Sequence, residues 1–536
     1  MPVNDFRMLP FFLVIALVGC GQQSSEISHS IDHGAIAAFA EPDKSMPVEE
    51  VQPETVNNSH EQYDRIVDNP FLPVRENPLS TFSVDVDTAS YTKVRQYLVD
   101  YNQMPRPDAV RIEELLNYFQ YQYEPPAENQ AHPFATHVAV TECPWNTEHR
   151  LVRLALKGRE MQRDVRPDSN LVLLIDSSGS MRSANRLPLL KRGMELLLQE
   201  LGGNDRVAVV AYAGSAGLVL PSTAASETEL VLASFDRLRA GGSTNGGKGL
   251  ELAYRIAREN FVSGGTNRIL LCTDGDFNVG MAGTDQMLRL VEQESKSGID
   301  LTVLGFGMGN LNDSMLEQIS GRGNGNYAFI DTIREARKVL VDQLAGTLVT
   351  IAKDVKIQIE FNPELTAAYR LIGYENRMLA KEDFNDDRKD AGEIGAGHSV
   401  TALYELIPVG APAAENLPQV DSLKYQEVAK VSNAARYGEL MTVKLRYKLP
   451  SDSQSKLLEH VVIDSGAAFA HSDHEFQFAA AVAGFGMLLR KSDHHGDWNY
   501  DQVLQVAQSS VGADPHGFRD EFLDLVFRAR SLEGSH

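Results

Sequence analysis

The feature that most constrains this chain is an apolar run that ends abruptly at an acid followed by hydroxyls. Residues 171–180 read Leu-Val-Leu-Leu-Ile-Asp-Ser-Ser-Gly-Ser. Consecutive branched aliphatic residues are typical of a strand buried on both faces of a parallel sheet, because a half-buried strand would alternate with polar residues. The polar cluster therefore lies at the carboxyl end of the strand, which is the edge where open α/β sheets bind their ligands.

The side chains at this strand end suit a hard divalent cation. Asp176, Ser178 and Ser180 stand at alternate positions and offer only oxygen donors. Such donors favour Mg²⁺, Ca²⁺ or Mn²⁺ over zinc or copper. A serine-rich turn that caps a following helix has much the same pattern, so these residues need support from elsewhere in the chain.

Two later stretches supply that support. A glycine-rich turn at 239–247 carries Thr244, and a second buried strand at 268–273 is followed by Asp274 and a glycine. Together the three segments resemble the metal-ion-dependent adhesion site of the von Willebrand factor type A family. The resemblance implies one bound Mg²⁺, with Mn²⁺ or Ca²⁺ as alternatives. Its implied ligands are Asp176, Ser178, Ser180, Thr244 and Asp274.

The surrounding pattern predicts the fold class. From 168 to about 346, buried strand patterns alternate with amphipathic helix patterns, which predicts an α/β unit with a doubly wound parallel sheet. The resemblance implies the same Rossmann-like fold. Type A domains begin and end on the face opposite the metal. We therefore expect the α+β and β-rich flanks, residues 77–160 and 350–470, to pack into one body with the α/β unit inserted in it.

The flanks carry resemblances of their own. Residues 83–91 and 110–119 resemble the N-terminal domain that precedes the type A domain in a group of bacterial lipoproteins, and residues 369–376 and 391–398 resemble the uncharacterised C-terminal domain of that group. The predicted domains are an N-terminal associated α+β domain at 70–165, a type A domain at 166–348, and a β-rich and helical domain at 349–536.

The first residues predict export and a lipid anchor. Arg7 precedes an apolar run that is too short to span a bilayer, which is typical of a signal peptide over residues 1–20. Leu17-Val-Gly-Cys20 resembles a bacterial lipobox, in which Cys20 is lipidated, and an ordinary cleaved signal is the alternative. Gly21, in place of an aspartate, then implies the outer membrane facing the periplasm, if the host has one. Residues 21–69 lack any hydrophobic period and are predicted to form a disordered tether.

The net charge and the cysteine content limit the kinds of partner and the disulfide bonds that we expect. The formal net charge of −23 argues against nucleic acid as a partner, because phosphate binding needs clustered Lys and Arg. Apart from Cys20, the cysteines are Cys143 and Cys272. We expect both thiols to be small core residues without a disulfide.

Three stretches resemble other functional motifs but lack the structural context or the residues that those motifs require. Asp85-Val-Asp87-Thr88 copies the nucleophile motif of haloacid dehalogenase phosphatases but lacks a buried strand before it, so we expect Asp87 or Thr88 to cap the following helix. A phosphate-binding loop at 242–248 lacks its hydroxyl residue. The acidic stretch 383–393 lacks the spacing of an EF-hand. A further helix is predicted over 108–119, capped by Asp108.

The predicted function follows from the charge of the implied ligands. Asp176 and Asp274 alone bring formal charge, so a divalent cation would keep attraction for a further oxygen anion, such as the Asp or Glu side chain of a partner protein. The prediction is a cation-dependent protein-binding module anchored in the cell envelope. The alternative is a metal-dependent hydrolase, which needs a general base near the metal. Asp276 is the one extra carboxylate near the three loops, and we expect it to cap its loop; no enzymatic activity is expected.

Overall fold

The structure, a computed structural model, describes most of the chain beyond residue 62. The described residues are 63–84, 87–161, 165–243, 246–275, 284–307, 312–389, 391–417, 421 and 431–534. The predicted signal peptide with Cys20, most of the predicted tether, and Asp85, Thr244 and Asp276 lie outside these ranges. Among the helices within them, none has both the length and the apolarity needed to cross a membrane.

The elements fall into three groups along the chain. The first group is β1 (Leu72–Pro73), β2 (Leu79–Ser83), α1 (Ala89–Val99), α2 (Ile112–Tyr118), β3 (Phe134–Cys143) and β4 (Asn146–Gly158). The second is β5 (Ser169–Asp176), α3 (Leu187–Glu200), β6 (Arg206–Tyr212), β7 (Ala216–Ala224), α4 (Thr228–Arg237), α5 (Gly246–Glu259), β8 (Thr266–Thr273), α6 (Thr284–Lys296), β9 (Asp300–Phe306), α7 (Asp313–Arg322), β10 (Tyr327–Ile330), α8 (Ile333–Arg337) and α9 (Leu344–Leu348). The third is β11 (Thr350–Phe361), β12 (Thr366–Ile372), β13 (Gly392–Gly395), β14 (Ser399–Pro408), α10 (Pro412–Glu415), β15 (Met441–Lys448), β16 (Lys456–Val462), α11 (His474–Arg490), α12 (Tyr500–Ser509) and α13 (Phe518–Glu533).

The second group forms the predicted doubly wound unit. Its sheet has the strand order β10-β9-β8-β5-β6-β7, and all neighbours are parallel except the edge strand β7. Every residue of β5 is buried. Leu173 packs with α3 and α8 on one face, whereas Leu174 packs with α5 and α7 on the other. Both faces of the central strand are therefore covered, which explains its uninterrupted apolar sequence.

Strands from the first and third groups share two sheets. One sheet has the order β1-β12-β14-β4-β3, in which β14 pairs with β4 from Ser399 opposite Lys157 to Leu406 opposite Arg150. The other has the order β13-β11-β15-β16, and β2 pairs with β11 beside this path. One apolar cluster joins residues of both sheets. The expected common body, with the α/β unit inserted between its two halves, is therefore confirmed.

A helical layer covers the other face of the β4 and β14 sheet. Helices α1, α2, α11, α12 and α13 share one core with residues such as Leu151, Ala155 and Leu403 of the sheet. Cys143 lies in this core and Cys272 in the core of the α/β unit. Both are buried free thiols, and burial raises their pKa values. They act as small core residues, as expected.

The glycine-rich segment 391–398 lies where the α/β unit joins the common body. A β-carbon on Gly395 would lie 1.9 Å from the carbonyl oxygen of Gly346 in α9, and one on Gly346 would lie 2.1 Å from the ring of His398. The backbone of α9 and the segment 391–398 are therefore in direct contact. Glycine is required there because any larger side chain would separate them.

Helix α2 begins later than the sequence predicts. The predicted cap, Asp108, instead accepts a hydrogen bond from the backbone N–H of Ile66 at 3.1 Å, and α2 begins at Ile112. The capping prediction for α1 fails as well. Thr88 precedes the helix without a side-chain capping bond, and Asp87 accepts from the N–H of Tyr327 at 2.6 Å. In both cases the aspartate side chain instead accepts a hydrogen bond from a backbone N–H that is distant in the sequence.

Candidate metal centre

The first loop of the candidate site follows β5 directly. Asp176 is fully buried at the strand end, and its Oδ1 accepts a hydrogen bond from the N–H of Ser178 at 2.8 Å. The hydroxyls of Ser178 and Ser180 are 2.9 Å apart, and a short turn of 3₁₀ helix begins at Gly179. The alternate spacing thus places the acid and both hydroxyls in one connected cluster.

The third loop adjoins the first because β8 is the parallel neighbour of β5. Ile175 is opposite Cys272, so Asp176 lies beside Thr273, whose hydroxyl is 3.5 Å from Asp176 Oδ2. Asp274 follows and is 1% exposed. Parallel neighbours end at the same edge of a sheet, and here this brings the two acids to one place.

Arg186, at the start of α3, links the first and third loops. Its Nη1 donates to the carbonyl oxygen of Ser180 and to Asp274 Oδ2, each at 2.7 Å. The sequence does not point to Arg186, since it lies in the polar stretch 182–186, which matches no motif and shows no hydrophobic period. The structure shows that it is part of the cluster.

The second loop lies against the first through its backbone. The N–H of Gly179 donates to the carbonyl oxygen of Gly242 at 3.1 Å, and the N–H of Gly241 donates to that of Ser177 at 2.8 Å. Gly242 has φ = +87°, which favours glycine. Thr244 lies outside the described residues, but the segment that leads to it is next to the predicted ligands of the first loop.

The electrostatics of the cluster favour a positive charge. The pKa of Asp176 is raised to about 6, mainly by burial; hydrogen bonds from Ser178 oppose this rise, and the negative charge of Asp274 adds to it. Two acids in a poorly solvated place repel each other, so a cation between them would be stabilised.

The donor set fits a hard divalent cation. Asp274 Oδ1 is buried and has no hydrogen-bond partner in the described part of the chain. A buried carboxylate oxygen without a partner is costly unless something satisfies it. No group of three or more His, Cys, Asp or Glu side chains suited to a metal occurs within the described ranges. A site here would therefore combine two carboxylates with hydroxyl oxygens, as Mg²⁺ accepts.

Comparison with known proteins gives matches along the chain. Residues 170–343 match the von Willebrand factor type A domain, residues 57–153 match a family described as von Willebrand factor, and residues 346–532 match the family described as uncharacterized protein YfbK, C-terminal. YfbK of Escherichia coli strain K12 is 42% identical over 471 residues, which cover 87% of this chain and 80% of YfbK.

More distant matches cover less of the chain or are less similar. The protein sll0103 of Synechocystis is 30% identical over 193 residues, covering 35% of this chain and 44% of sll0103. Among solved structures, a von Willebrand factor type A protein from Catenulispora acidiphila matches with a TM-score of 0.41 and 16% identity, covering 72% of this chain and 89% of that one.

Proposed function

Because the chain belongs to the family of YfbK and contains a von Willebrand factor type A domain, we propose that it binds a divalent cation at the carboxyl edge of its central sheet and thereby holds an acidic group of a partner protein. Type A domains generally mediate metal-dependent protein interactions, and the edge described above is where such a site would form. The cation is expected to be Mg²⁺, with Mn²⁺ or Ca²⁺ as alternatives.

The observation that carries the proposal is the unpartnered Oδ1 of Asp274 beside the buried Asp176. Both acids belong to a cluster in which Arg186 bonds the first and third loops together. The proposed ligands are Asp176, Ser178, Ser180, Thr244 and Asp274.

Each part of the cluster has a distinct role in the proposed site. The N–H of Ser178 orients Asp176, and Arg186 orients Asp274, so neither acid needs to be ordered when a cation arrives. Only two formal negative charges come from the proposed ligands, because the others are hydroxyls. These two charges balance a divalent cation without leaving excess negative charge, so an open coordination position on the bound cation could accept a further oxygen anion, and a carboxylate from a partner provides one.

The proposed place of action is the cell envelope. The amino-terminal pattern, with an apolar run that ends at Cys20, supports a lipid anchor, and Gly21 after it supports the outer membrane facing the periplasm. The proposed tether would then hold the folded part away from the lipid surface. Labelling of the expressed protein with a fatty acid, lost in Cys20→Ala, tests this part separately.

A partner-capture experiment tests the binding function. The chain without residues 1–20 is immobilised and exposed to envelope extract in Mg²⁺ or in EDTA. We expect one or more proteins to be retained in Mg²⁺ alone and to be lost with Ser178→Ala. Ser177→Ala is the matched control, because that hydroxyl donates to the carbonyl oxygen of Tyr212 and is no proposed ligand. Retention that is equal in Mg²⁺ and EDTA contradicts the proposal. Hydrolysis of a phosphate or peptide substrate, lost with Ser178→Ala, would favour the hydrolase instead.

A further inference from the structure

Arg186 places a fixed positive charge on one of the proposed ligands. Its Nη1 lies 2.7 Å from Asp274 Oδ2, and the side chains of the pair are 14% and 0% exposed. The same nitrogen donates to the carbonyl oxygen of Ser180. A guanidinium held by two bonds in a nearly buried place is screened little by solvent, so its charge acts strongly on anything else that Asp274 binds.

The fold holds this guanidinium in place. Gly307 follows β9 with φ = +73°, and a β-carbon there would lie 2.1 Å from Arg186 Nε and 2.5 Å from its Cγ. The side chain of Arg186 therefore passes directly over the backbone of Gly307. Its other end is fixed because its backbone N–H donates to the carbonyl oxygen of Ser183 at 3.1 Å, just before α3 begins. The contact with Asp274 thus depends on the segments that follow β8 and β9 and on the turn just before α3.

Arg186 and a cation would share a single carboxylate. The guanidinium takes Oδ2 of Asp274, whereas Oδ1 is the buried oxygen without a partner. Asp176, Asp274 and Arg186 together carry one net negative charge. With a divalent cation added, the same groups carry one net positive charge. The guanidinium opposes the cation by repulsion, and both would attract an acidic partner.

We propose that Arg186 sets the cation affinity of this site, acting as an internal counter-ion that competes with the divalent cation for Asp274. The inference depends on the proposed metal site. Loss of the positive charge strengthens cation binding, because Asp274 then has no other cation to neutralise it. The charge of Arg186 is the property that matters, so lysine in its place preserves weak binding.

Titration of Mn²⁺ into the chain without residues 1–20, followed by electron paramagnetic resonance of free Mn²⁺, tests the inference. We expect Arg186→Met and Arg186→Gln to bind Mn²⁺ about tenfold or more tightly than the unaltered protein. We expect Arg186→Lys to stay within about threefold of it. The matched control is Arg182→Met, which removes an exposed positive charge from the same loop and should change the affinity by less than about threefold.

Each outcome decides a separate point. Unchanged or weaker Mn²⁺ binding in both folded charge-removing variants overturns the role of Arg186 but leaves the metal site standing. Equal tightening by lysine and by methionine shows that charge is not the cause and also overturns it. Absence of Mn²⁺ binding in every variant overturns the proposed metal site and this inference together. Thermal melting of each variant shows that it is folded, and glutamine provides a second test if methionine prevents folding.

Discussion

The carboxylate of Asp176 is buried at the carboxyl end of β5, and burial is the main reason that its pKa rises to about 6. An acid with a raised folded pKa favours folding fully only below the unfolded value near 3.8, and this contribution is lost as the pH rises through 6. At neutral pH the ionised side chain therefore weakens the metal-free fold. Residues that serve binding often lower the stability of the fold in this way.

Asp176→Asn should raise the unfolding free energy in EDTA at pH 7.5 by on the order of 1–3 kcal/mol, because the buried charge is removed. Chemical denaturation followed by circular dichroism measures it. Asp205→Asn is the contrasting variant. Asp205 pairs with Arg166 and accepts from the N–H of Ser169, so its loss should destabilise the protein by about 3–5 kcal/mol. A lower stability for Asp176→Asn in EDTA would contradict the account.

Among single residues, the sequence predicted some members of the candidate metal centre but not others. Asp176, Ser178 and Ser180 were predicted because a strand that ends in alternating oxygen donors is a local pattern, and the structure connects them with Asp274. Their role as metal ligands stays a prediction. Arg186 was missed because its contact with Asp274 spans 88 residues and depends on the space above Gly307, which no local pattern records.

Among the elements, α9 has an unusually close neighbour. Its Gly346 packs against the ring of His398, and burial lowers the pKa of that ring to about 4, so the imidazole is neutral at physiological pH. A methyl group at position 346 has no space unless the ring moves. The helix that ends the α/β unit is thus fitted directly to the segment 391–398 of the common body.

Gly346→Ala should therefore destabilise the protein by about 1–3 kcal/mol through overpacking. His398→Ala in the same chain should restore part of that loss, since it removes the ring that the new methyl group meets. Gly203→Ala serves as the control, because a β-carbon there meets nothing within 4 Å. Thermal melting of these three variants and of the unaltered protein gives the comparison. Equal stability of Gly346→Ala and Gly203→Ala would show that α9 is not packed as described.

The turn that precedes α9 buries a lysine. Lys338 begins a π-helical turn, and its Nζ lies 2.7 Å from the centroid of the Tyr118 ring and 3.8 Å from Glu335 Oε1. Burial lowers its pKa to about 7; the carboxylates of Glu335 and Glu521 oppose this shift, and the positive charges of Arg95 and Arg334 add to it. The amine therefore loses its proton near neutral pH in the folded protein.

The pH dependence of stability should report this lysine. A depressed folded pKa favours folding fully above the unfolded value of 10.5, and that contribution is lost as the pH falls through about 7. Between pH 7 and 9 the unfolding free energy of the unaltered protein should rise relative to that of Lys338→Met, by up to about 1.4 kcal/mol per pH unit. Denaturation at pH 6, 7.5 and 9 measures the difference. A difference that is the same at all three pH values would contradict the lowered pKa of Lys338.

Helices and strands were predicted correctly where the sequence pattern that identifies them is local. The strands β5 and β8 were recognised from their uninterrupted apolar runs, because burial on both faces leaves that mark on the sequence. The start of α2 was wrong because Asp108 bonds to the backbone of Ile66, 42 residues away. A cap residue is equally able to satisfy a distant backbone group, and sequence alone does not reveal which group it serves.

In the whole molecule, buried ion pairs join the α/β unit to the common body. Arg111, just before α2, lies 2.5 Å from Asp313 and 2.9 Å from Glu317 of α7, and 3.0 Å from Glu114. Arg95 of α1 likewise contacts Glu335 of α8 at 2.9 Å. Charges buried at such a junction are satisfied only when both parts are in place, so the two parts should unfold together.

Arg111→Met should lower the unfolding free energy by about 3–5 kcal/mol, because it leaves buried carboxylates without their cation. Arg388→Met is the control, since the side chain of Arg388 is 90% exposed and its ion pair should contribute little to stability. Calorimetry should show one transition for the unaltered protein. Two well-separated transitions in that protein would contradict coupled unfolding.

The arrangement of the whole chain was predictable only in outline. The common body was expected because the ends of a type A domain are close together, and the pairing of β4 with β14 confirms it. The register of that pairing joins residues that lie more than two hundred positions apart, for example Lys157 and Ser399. Alternating patterns identify which faces of such strands are buried but do not specify their partners.

Crystals grown with Mn²⁺ and measured at the manganese absorption edge test the central claim most directly. We predict one strong anomalous peak at the carboxyl edge of the central sheet, about 2.0–2.3 Å from the hydroxyl oxygens of Ser178 and Ser180. The peak should be absent from crystals of Asp176→Ala and present in those of Ser177→Ala. A structure at saturating Mn²⁺ with no peak between the loops that carry Asp176 and Asp274 would contradict the account.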